Sequence, residues 1–346
     1  MTRTRVARLV LVAALLAVLV GVLVAWRAAP FGPTLETGRV QLLDAPAYGT
    51  TYEVMLPSGR VELVVGPRTS ALPGQYVDGS SGTDDVQAER GDSLVPVSWR
   101  LAPGTGTVPA DTAEPFELTV VAGGERYALG ADKRGEGDEI DGAIMSRNLV
   151  VAVDGDAEPE DLSVEVTYDG QTQTVDVESG EIDAGAAAGF YENRSFATTD
   201  RCGQRAAPGS GVTPTFVGCE VGLVTLTPYR PDLGWVDDAD EAWAEVRVSL
   251  GLVNLERVSA GGGVDLRLIP ADTVEQVLLD GADADAGKLA LVDLTHGGAE
   301  GELVFRVSED PRVLTIERDL RLAEGYAEDA RTTRVQLRQD LTLEPA

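Results

Sequence analysis

Short runs of alternating apolar and polar residues recur along the chain from residue 39 onward. The run 162–168 is the clearest, because apolar residues occupy its even positions and polar residues its odd positions. This period of two is typical of a β-strand with one buried face. Asp169-Gly170 follows this run and predicts a two-residue hairpin turn into a second strand at 172–177.

Similar apolar runs fill most of the remaining chain, and turn residues such as glycine and proline separate them. In the first half they lie at 39–42, 52–56, 61–65, 94–101, 116–121 and 149–153. In the second half they lie at 221–227, 243–250, 264–269, 289–294, 303–307, 313–317 and 333–337. Many short strands at this spacing predict an all-β fold.

The segment 270–280 is the exception to the strand pattern. Asp272 and Glu275 have the spacing of a capping box, and three apolar residues after Asp272 share one helical face. This arrangement predicts one short helix.

The strand pattern breaks at 179–200, which contains an alanine- and glycine-rich stretch, and we predict a featureless linker there. A valine-rich strand followed by proline occurs before the break, at 61–67, and again after it, at 221–228. We therefore predict two related antiparallel immunoglobulin-like β-sandwich domains, at 39–178 and 201–345. Chance similarity among valine-rich strands is the alternative explanation for the repeat.

The N-terminal residues have a different composition, because three arginines precede an uninterrupted apolar run at 9–26. As a helix, this run would span roughly 27 Å, close to the thickness of a bilayer core. We predict a cytoplasmic tail at 1–8, a single transmembrane signal anchor at 9–26 and a stalk at 27–38, with the remaining chain outside the cytoplasm. A cleaved signal peptide is the alternative, although the cleavage positions near residue 28 lack the usual small residues.

The predicted membrane helix carries a ridge of small residues that recur every four positions, at Ala13, Ala17, Gly21 and Ala25. Small residues allow two helices to approach closely in lipid. Helix-mediated self-association is therefore a hypothesis, and an alanine-rich composition alone is the alternative.

The chain has a net charge of −29, and the acidic excess lies entirely after residue 30. Nucleic-acid binding depends on basic surfaces, so this charge argues against such a partner. Of the 28 lysine and arginine residues, only Lys133 and Lys288 are lysines. This composition is typical of a high-GC bacterium.

Cys202 and Cys219 are the two cysteines of the chain. Outside the cytoplasm, a close and even pair predicts one structural disulfide. Redox-active pairs are more often spaced C-x-x-C. Free thiols are the remaining alternative.

Catalytic residue patterns are scarce. The chain has one histidine, His296, which follows a strand pattern and precedes two glycines. A serine hydrolase would need it together with a nucleophile motif such as G-x-S-x-G, which the sequence does not contain. We predict a non-enzymatic protein without a cofactor.

Acidic clusters at 136–141, 154–161, 237–241 and 280–285 are the remaining candidates for chemistry. The last one begins like a calcium-binding EF-hand loop at Asp283, but the twelfth position is Leu294 where a glutamate is required. We predict no metal site of this kind. A different calcium site between loops stays open.

A resemblance covers residues 220–345. The segment 301–307, Gly-Glu-Leu-Val-Phe-Arg-Val, together with the strand region 243–254, resembles the telokin-like, immunoglobulin-like domains of secreted and membrane-anchored bacterial proteins. Those domains often have proline where this chain has Ser308. The resemblance implies an antiparallel sandwich and commonly no enzymatic activity, and it supplies no catalytic residues.

These observations predict a membrane-anchored, extracytoplasmic binding or scaffolding protein of the bacterial envelope, with a protein partner. A calcium-dependent adhesin and an envelope-polymer hydrolase are the alternatives.

Overall fold

The computed structural model describes residues 32–346 except 81, 83, 103–114, 132–145, 156–160, 193, 204, 207–211, 260–261, 270–273, 294–297 and 325–329. The regular secondary structure of the described residues is almost entirely β-strand, which confirms the all-β prediction, with short 3-10 helices at Gly74–Tyr76 and Gly185–Phe190. Within these residues no helix has the length and apolar character needed to cross a bilayer. The predicted anchor at 9–26, with its ridge of small residues, lies outside the described residues.

The described residues form two compact units. The first consists of 32–54, 60–102 and 115–183, and the second of 55–59 and 184–346.

Most of the first unit is built from two five-stranded antiparallel sheets. One contains β2 (Val40–Leu42), β3 (Thr50–Leu56), β4 (Gly59–Val65), β7 (Ser93–Ala102) and β10 (Ser146–Val153), in the order β2-β10-β7-β4-β3. The other contains β8 (Glu117–Ala122), β9 (Glu125–Ala131), β11 (Leu162–Tyr168), β12 (Gln171–Asp176) and β13 (Ile182–Asp183), in the order β13-β12-β11-β8-β9.

Aromatic side chains connect these two sheets. The ring of Trp99, on β7, lies edge-on to Phe116, just before β8, with centroids 4.9 Å apart. The hydroxyl of Tyr52 donates to the carbonyl of Val177 at 2.6 Å. Edge-on aromatic pairs of this kind stabilise a core beyond the area that they bury. The two sheets therefore face each other across a common core.

A small third sheet covers the opposite face of β7 and β10. It contains β1 (Thr34–Leu35), β5 (Ala71–Leu72) and β6 (Val86–Ala88), in the order β1-β6-β5. Its apolar residues cluster with Leu94, Val150 and Ala152 of the larger sheet. Because both faces of β7 and β10 are covered, these strands are almost continuously apolar rather than alternating.

The hairpin predicted at Asp169-Gly170 is confirmed. Tyr168 pairs with Gln171, and the φ angles of the two turn residues are +45° and +79°. Positive φ at both central residues is the requirement of a type I′ turn, which Asp-Gly meets at low cost.

The second unit contains fourteen strands among its described residues, several of them long. They are β14 (Ser195–Thr198), β15 (Arg205–Ala206), β16 (Val212–Thr227), β17 (Tyr229–Arg230), β18 (Gly234–Trp235), β19 (Ala242–Ser259), β20 (Gly262–Leu268), β21 (Val274–Leu279), β22 (Ala282–Asp283), β23 (Ala286–Gly287), β24 (Ala290–Asp293), β25 (Gly298–Val307), β26 (Val313–Glu324) and β27 (Thr332–Pro345).

Six of these strands pair in a closed antiparallel ring, in the order β14-β16-β19-β20-β26-β27 and back to β14. Strand β19 is long enough to change partners, pairing with β25 through its first part and with β20 through its last part. Strand β26 does the same with β21 and β20.

The long strands connect two hydrophobic clusters. On β26, Leu314 and Ile316 belong to the larger cluster, and Leu320 and Leu322 belong to the smaller one. Arg318 occupies the inward-facing position between them and is 1% exposed. Its guanidinium forms an ion pair with Glu275, the residue directly opposite on β21.

The short helix predicted within 270–280 is wrong for the described part of that segment. Residues 274–279 form β21, which pairs with β26 on one side and β22 on the other. Val277 and Leu279 are buried while Val274 is exposed, so the burial follows a strand period of two. The capping-box glutamate, Glu275, forms an ion pair with Arg318 instead.

The segment 179–200, predicted as a featureless linker, contains the boundary between the two units, after Asp183, but it is not featureless. This segment contains β13, the 3-10 helix Gly185–Phe190 and β14. Ala186 packs against the Val236–Trp243–Val304 cluster of the second unit, and Phe190 lies edge-on to Trp235 at 5.9 Å. The small alanine side chains allow this close packing, which orders the segment.

Cys202 and Cys219 form the predicted disulfide, with Cα atoms 5.3 Å apart. Both are partly buried against the larger core cluster. The side-chain amide of Gln339 holds the residues on each side of Cys202: its oxygen accepts from Gly203 N–H at 2.6 Å, and its nitrogen donates to the Arg201 carbonyl at 3.0 Å. The disulfide therefore lies in a segment of the chain that side-chain hydrogen bonds hold in place.

Candidate functional site

An open apolar groove of about 550 Å³ lies in the first unit, beside the small third sheet. Its volume is in the range of natural ligand pockets. Proline, tyrosine and small aliphatic residues line it: Leu43, Ala45, Pro46, Ala47, Tyr48, Pro67, Thr69, Leu72, Pro73, Tyr76 and Pro96. We refer to this set as the proline–tyrosine groove.

One wall of the groove is the segment 43–48, which follows the edge strand β2. Hydrogen bonds from Asp44 and Ala47 are among those that hold it in place. The N–H of Asp44 donates to the Tyr76 carbonyl at 2.9 Å, and the N–H of Ala47 donates to the Ser98 hydroxyl at 2.6 Å. Pro46 has a fixed φ angle and stiffens the segment between these points. The wall is therefore held against both the opposite wall and the sheet below it.

The opposite wall is the segment 67–76. Thr69 and Leu94 exchange two backbone hydrogen bonds, of 3.0 and 2.7 Å, which join this wall to β7. At its far end, the Tyr76 N–H donates to the Pro73 carbonyl and forms a tight 3-10 turn. Both walls are thus attached to the same sheet, and the groove is preformed rather than dependent on a ligand.

Pro96 of β7 forms part of the base of the groove. The N–H of Gly66 donates to the Pro96 carbonyl at 2.8 Å. A Cβ at Gly66 would lie 3.1 Å from the Tyr48 carbonyl and 3.2 Å from the Pro96 ring. The absence of a side chain at residue 66 therefore allows the Tyr48 wall to approach the base closely.

Two tyrosines dominate the exposed surface of the groove. Tyr48 is 93% exposed and Tyr76 is 45% exposed. Neither hydroxyl makes a hydrogen bond to another described residue. Among the lining residues the remaining polar side chain is that of Thr69, whose hydroxyl donates to the Ala71 carbonyl at 2.8 Å. Among the described residues the lining contains no carboxylate, imidazole or thiol, so its chemistry is stacking and hydrogen-bond donation.

Two exposed acidic residues lie next to lining residues along the chain, and we refer to them as the rim of the groove. Asp44 lies between the lining residues Leu43 and Ala45, and Asp78 follows Tyr76 by two positions. Both residues are exposed, and within the described part of the chain neither carboxylate forms an ion pair.

Several described carboxylates of the acidic clusters predicted from sequence have internal partners. In the 237–241 cluster, Asp237 and Glu241 both pair with Arg306, and their hydrogen bonds raise the pKa of this arginine. In the 280–285 cluster, Asp285 accepts from the Arg306 N–H at 2.6 Å. These carboxylates fix strands and turns.

Asp280 illustrates this structural role most clearly. Its φ of +49° places it in the left-handed region, which Asp tolerates better than most residues. Its carboxylate accepts from the N–H groups of Arg312 and Val313, at about 3 Å. The carboxylate oxygens of Asp280 are therefore engaged by backbone N–H groups at the start of β26.

We expect Asp280→Ala to lower the free energy of unfolding by about 1 kcal/mol, because backbone N–H groups lose their acceptor. Asp280→Asn keeps an acceptor and should lose less. Urea unfolding with millimolar calcium or magnesium checks the assignment. A calcium-specific gain in wild-type stability that Asp280→Ala abolishes would show that this cluster binds the ion.

The other sequence candidates fall largely outside the described residues. His296 and the 136–141 cluster lie there, as do residues 156–160 of the 154–161 cluster. Across the described ranges, no group of three or more His, Cys, Asp or Glu side chains has an arrangement that could hold a metal ion.

The proline–tyrosine groove was missed by the sequence analysis. Its lining comes from three segments that are far apart along the chain, and no spacing rule links them. The available signal was compositional, since Pro46 and Tyr48 in one loop and Pro73 and Tyr76 in another place aromatic and proline side chains between strands.

Comparison with models of known protein families and with curated proteins gave no match to this chain.

Proposed function

We propose that the chain is a membrane-anchored, extracytoplasmic binding protein of the bacterial envelope, and that the proline–tyrosine groove holds a protein partner. The observation that carries this proposal is a preformed apolar groove with two exposed tyrosines and, in the part of the lining that the structure describes, no charged side chain. Exposed aromatic residues at a concave surface are typical of protein interfaces.

The proposed function is binding rather than catalysis. General acid–base and nucleophilic catalysis need titratable or nucleophilic groups that converge on a substrate. The groove instead offers tyrosine and proline rings. In the acidic clusters, Asp237, Glu241, Asp280 and Asp285 bind arginine side chains or backbone N–H groups.

The location rests on two supports. The apolar run 9–26 has the length of a membrane-spanning helix, and the Cys202–Cys219 disulfide is typical of an oxidising compartment. The groove would then face the space outside the cytoplasm, where an envelope partner can reach it.

For the architecture we propose an immunoglobulin-like sandwich in the first unit, supported by its two facing antiparallel sheets. In the second unit, the closed ring of strand pairing favours a barrel-like arrangement over the sandwich predicted for 201–345.

Site-specific photo-crosslinking in native membranes tests the binding function. The full-length chain carries a photoreactive phenylalanine derivative at position 48 or, as the control, at the exposed position of Leu223 in the second unit. We expect one discrete adduct from position 48 and none from position 223. Tyr76→Ala in the same chain should reduce that adduct about tenfold, the effect of losing about 1.4 kcal/mol of binding.

Either of two results would contradict the proposal. One is the same adduct from both positions, since this indicates non-specific proximity. The other is an adduct from position 48 that Tyr76→Ala leaves unchanged, since the groove would then not hold the partner.

A further inference from the structure

We propose that the groove binds a proline-rich segment of its partner in the polyproline II conformation, with a lysine or arginine next to the prolines. This inference rests on the binding function proposed above and identifies the chemistry of the partner.

At its base, the groove offers no free strand edge for pairing with an extended peptide. Its base, β7, is hydrogen-bonded to β10 on one side and to β4 on the other. The prolines of the lining have no N–H to donate. A peptide that lies over this base is therefore held by side chains rather than by a backbone ladder along β7.

Side-chain recognition of this kind suits a polyproline II helix. Such a helix has no internal hydrogen bonds, so its carbonyl groups are free to accept from a receptor. The hydroxyls of Tyr48 and Tyr76 are donors at the groove, and their rings provide flat surfaces against which proline rings pack. Aromatic-lined grooves recognise proline-rich segments because these ligands lose little conformational entropy on binding.

Charge complementarity identifies the flanking residue. Asp44 and Asp78 are exposed at the rim, and no described residue neutralises them by an ion pair. The whole chain carries a net charge of −29, which repels acidic segments. A basic residue beside the prolines would meet these two carboxylates, whereas an acidic residue there would be disfavoured.

A binding titration with the full-length protein tests the inference. The probe is a short fluorescein-labelled peptide with P-x-x-P repeats and one arginine, followed by fluorescence anisotropy. One matched peptide has its prolines replaced by alanine, and another has glutamate in place of arginine. The protein variants are Tyr48→Ala, Tyr76→Ala and the rim double variant Asp44→Asn/Asp78→Asn, with Leu223→Ala as the control.

We expect saturable binding of the proline–arginine peptide. Each tyrosine variant should weaken binding about tenfold. The rim double variant should weaken it about threefold at low salt, because exposed ion pairs contribute little. The same variant should strengthen binding of the glutamate peptide at low salt, because it removes the repulsion between like charges. Leu223→Ala should bind like the wild type.

The inference is overturned if the alanine peptide binds as tightly as the proline peptide, or if no binding is measured at about 1 mM peptide. It is also overturned if a fluorescent fatty acid binds in a Tyr48-dependent manner and the peptides do not, since the groove would then hold an acyl chain.

Peptide competition against the photo-adduct separates this inference from the proposed function. Loss of the position-48 adduct in the presence of the peptide supports both. An adduct that depends on Tyr76 but resists the peptide leaves the binding function in place and removes the proline-rich partner. Absence of the adduct removes the binding function itself.

Discussion

Replacing Arg318 with methionine is expected to lower the free energy of unfolding of the second unit by about 3–5 kcal/mol. Arg318 has a fully buried side chain between two hydrophobic clusters, and Glu275 beside it is 7% exposed. The variant leaves the Glu275 carboxylate inside the protein without its cation. The loss of a single partner of a buried ion pair is costly because the remaining charge stays desolvated.

The loss of stability caused by Arg318→Met should depend on pH, and the pKa of Glu275 determines the direction of this dependence. Burial raises the pKa of Glu275 above its ordinary value of 4.5, and the charge of Arg318 opposes this rise. Without Arg318, the folded-state pKa rises further above the unfolded value. The stability that a protonated Glu275 provides is fully present below about pH 4.5 and is lost as pH rises through the folded-state pKa. The deficit of Arg318→Met should therefore grow from acidic to neutral pH.

Two control variants distinguish the effect of leaving a buried charge unpaired from the effect of losing an ion pair as such. The double variant Arg318→Met/Glu275→Leu removes both charges and should recover most of the lost stability. Arg338 forms an ion pair with Glu317 across β26 and β27, but its side chain is 61% exposed. Arg338→Met should cost less than about 1 kcal/mol. Equal urea midpoints for Arg318→Met and Arg338→Met would contradict the buried position of Arg318.

Removal of the disulfide is expected to cost about 3 kcal/mol. The bridge joins residues 17 positions apart, and closing a loop of this size lowers the entropy of the unfolded chain by a corresponding amount. The double variant Cys202→Ser/Cys219→Ser should therefore unfold at lower urea concentration. In this variant the Gln339 side chain keeps its hydrogen bonds to the backbone groups of Arg201 and Gly203. The local fold around residue 202 should therefore remain.

Reducing agent provides the internal control for this prediction. It should destabilise the wild type to the level of the serine double variant and leave the variant unchanged. Two titratable thiols in protein isolated from the envelope, or identical unfolding of wild type and variant without reductant, would show that the bridge does not form there.

Local sequence features predicted some of the fold because neighbouring residues decide them. Asp169-Gly170 takes positive φ angles at little cost, and the alternating residues on each side have one buried face. The strand at 274–279 could not be separated from a helix in this way. Its helical spacing and its capping glutamate were real features of the sequence, but β26 and the buried Arg318 determined the outcome.

The 3-10 helix at 185–190 and the groove both depend on contacts between residues far apart in the chain, which local sequence patterns do not contain. An alanine- and glycine-rich stretch has no periodicity of its own, and Trp243 and Trp235 from distant positions order it. The groove likewise arises when two loops meet over Pro96. Its residues had no shared motif, because their common property is their position on one face of a sheet.

Hydroxyl-radical footprinting of the tyrosines tests the proposed binding groove most directly. The full-length protein is oxidised in its native membranes and, separately, after purification, and the modification of each tyrosine is compared by mass spectrometry. Tyr191 of the second unit, 40% exposed, serves as the internal control. If the groove holds a partner, Tyr48 and Tyr76 are protected in membranes relative to the purified protein while Tyr191 is unchanged. Equal oxidation of Tyr48 and Tyr76 in both preparations, or equal protection of all three tyrosines, would contradict the proposed binding function.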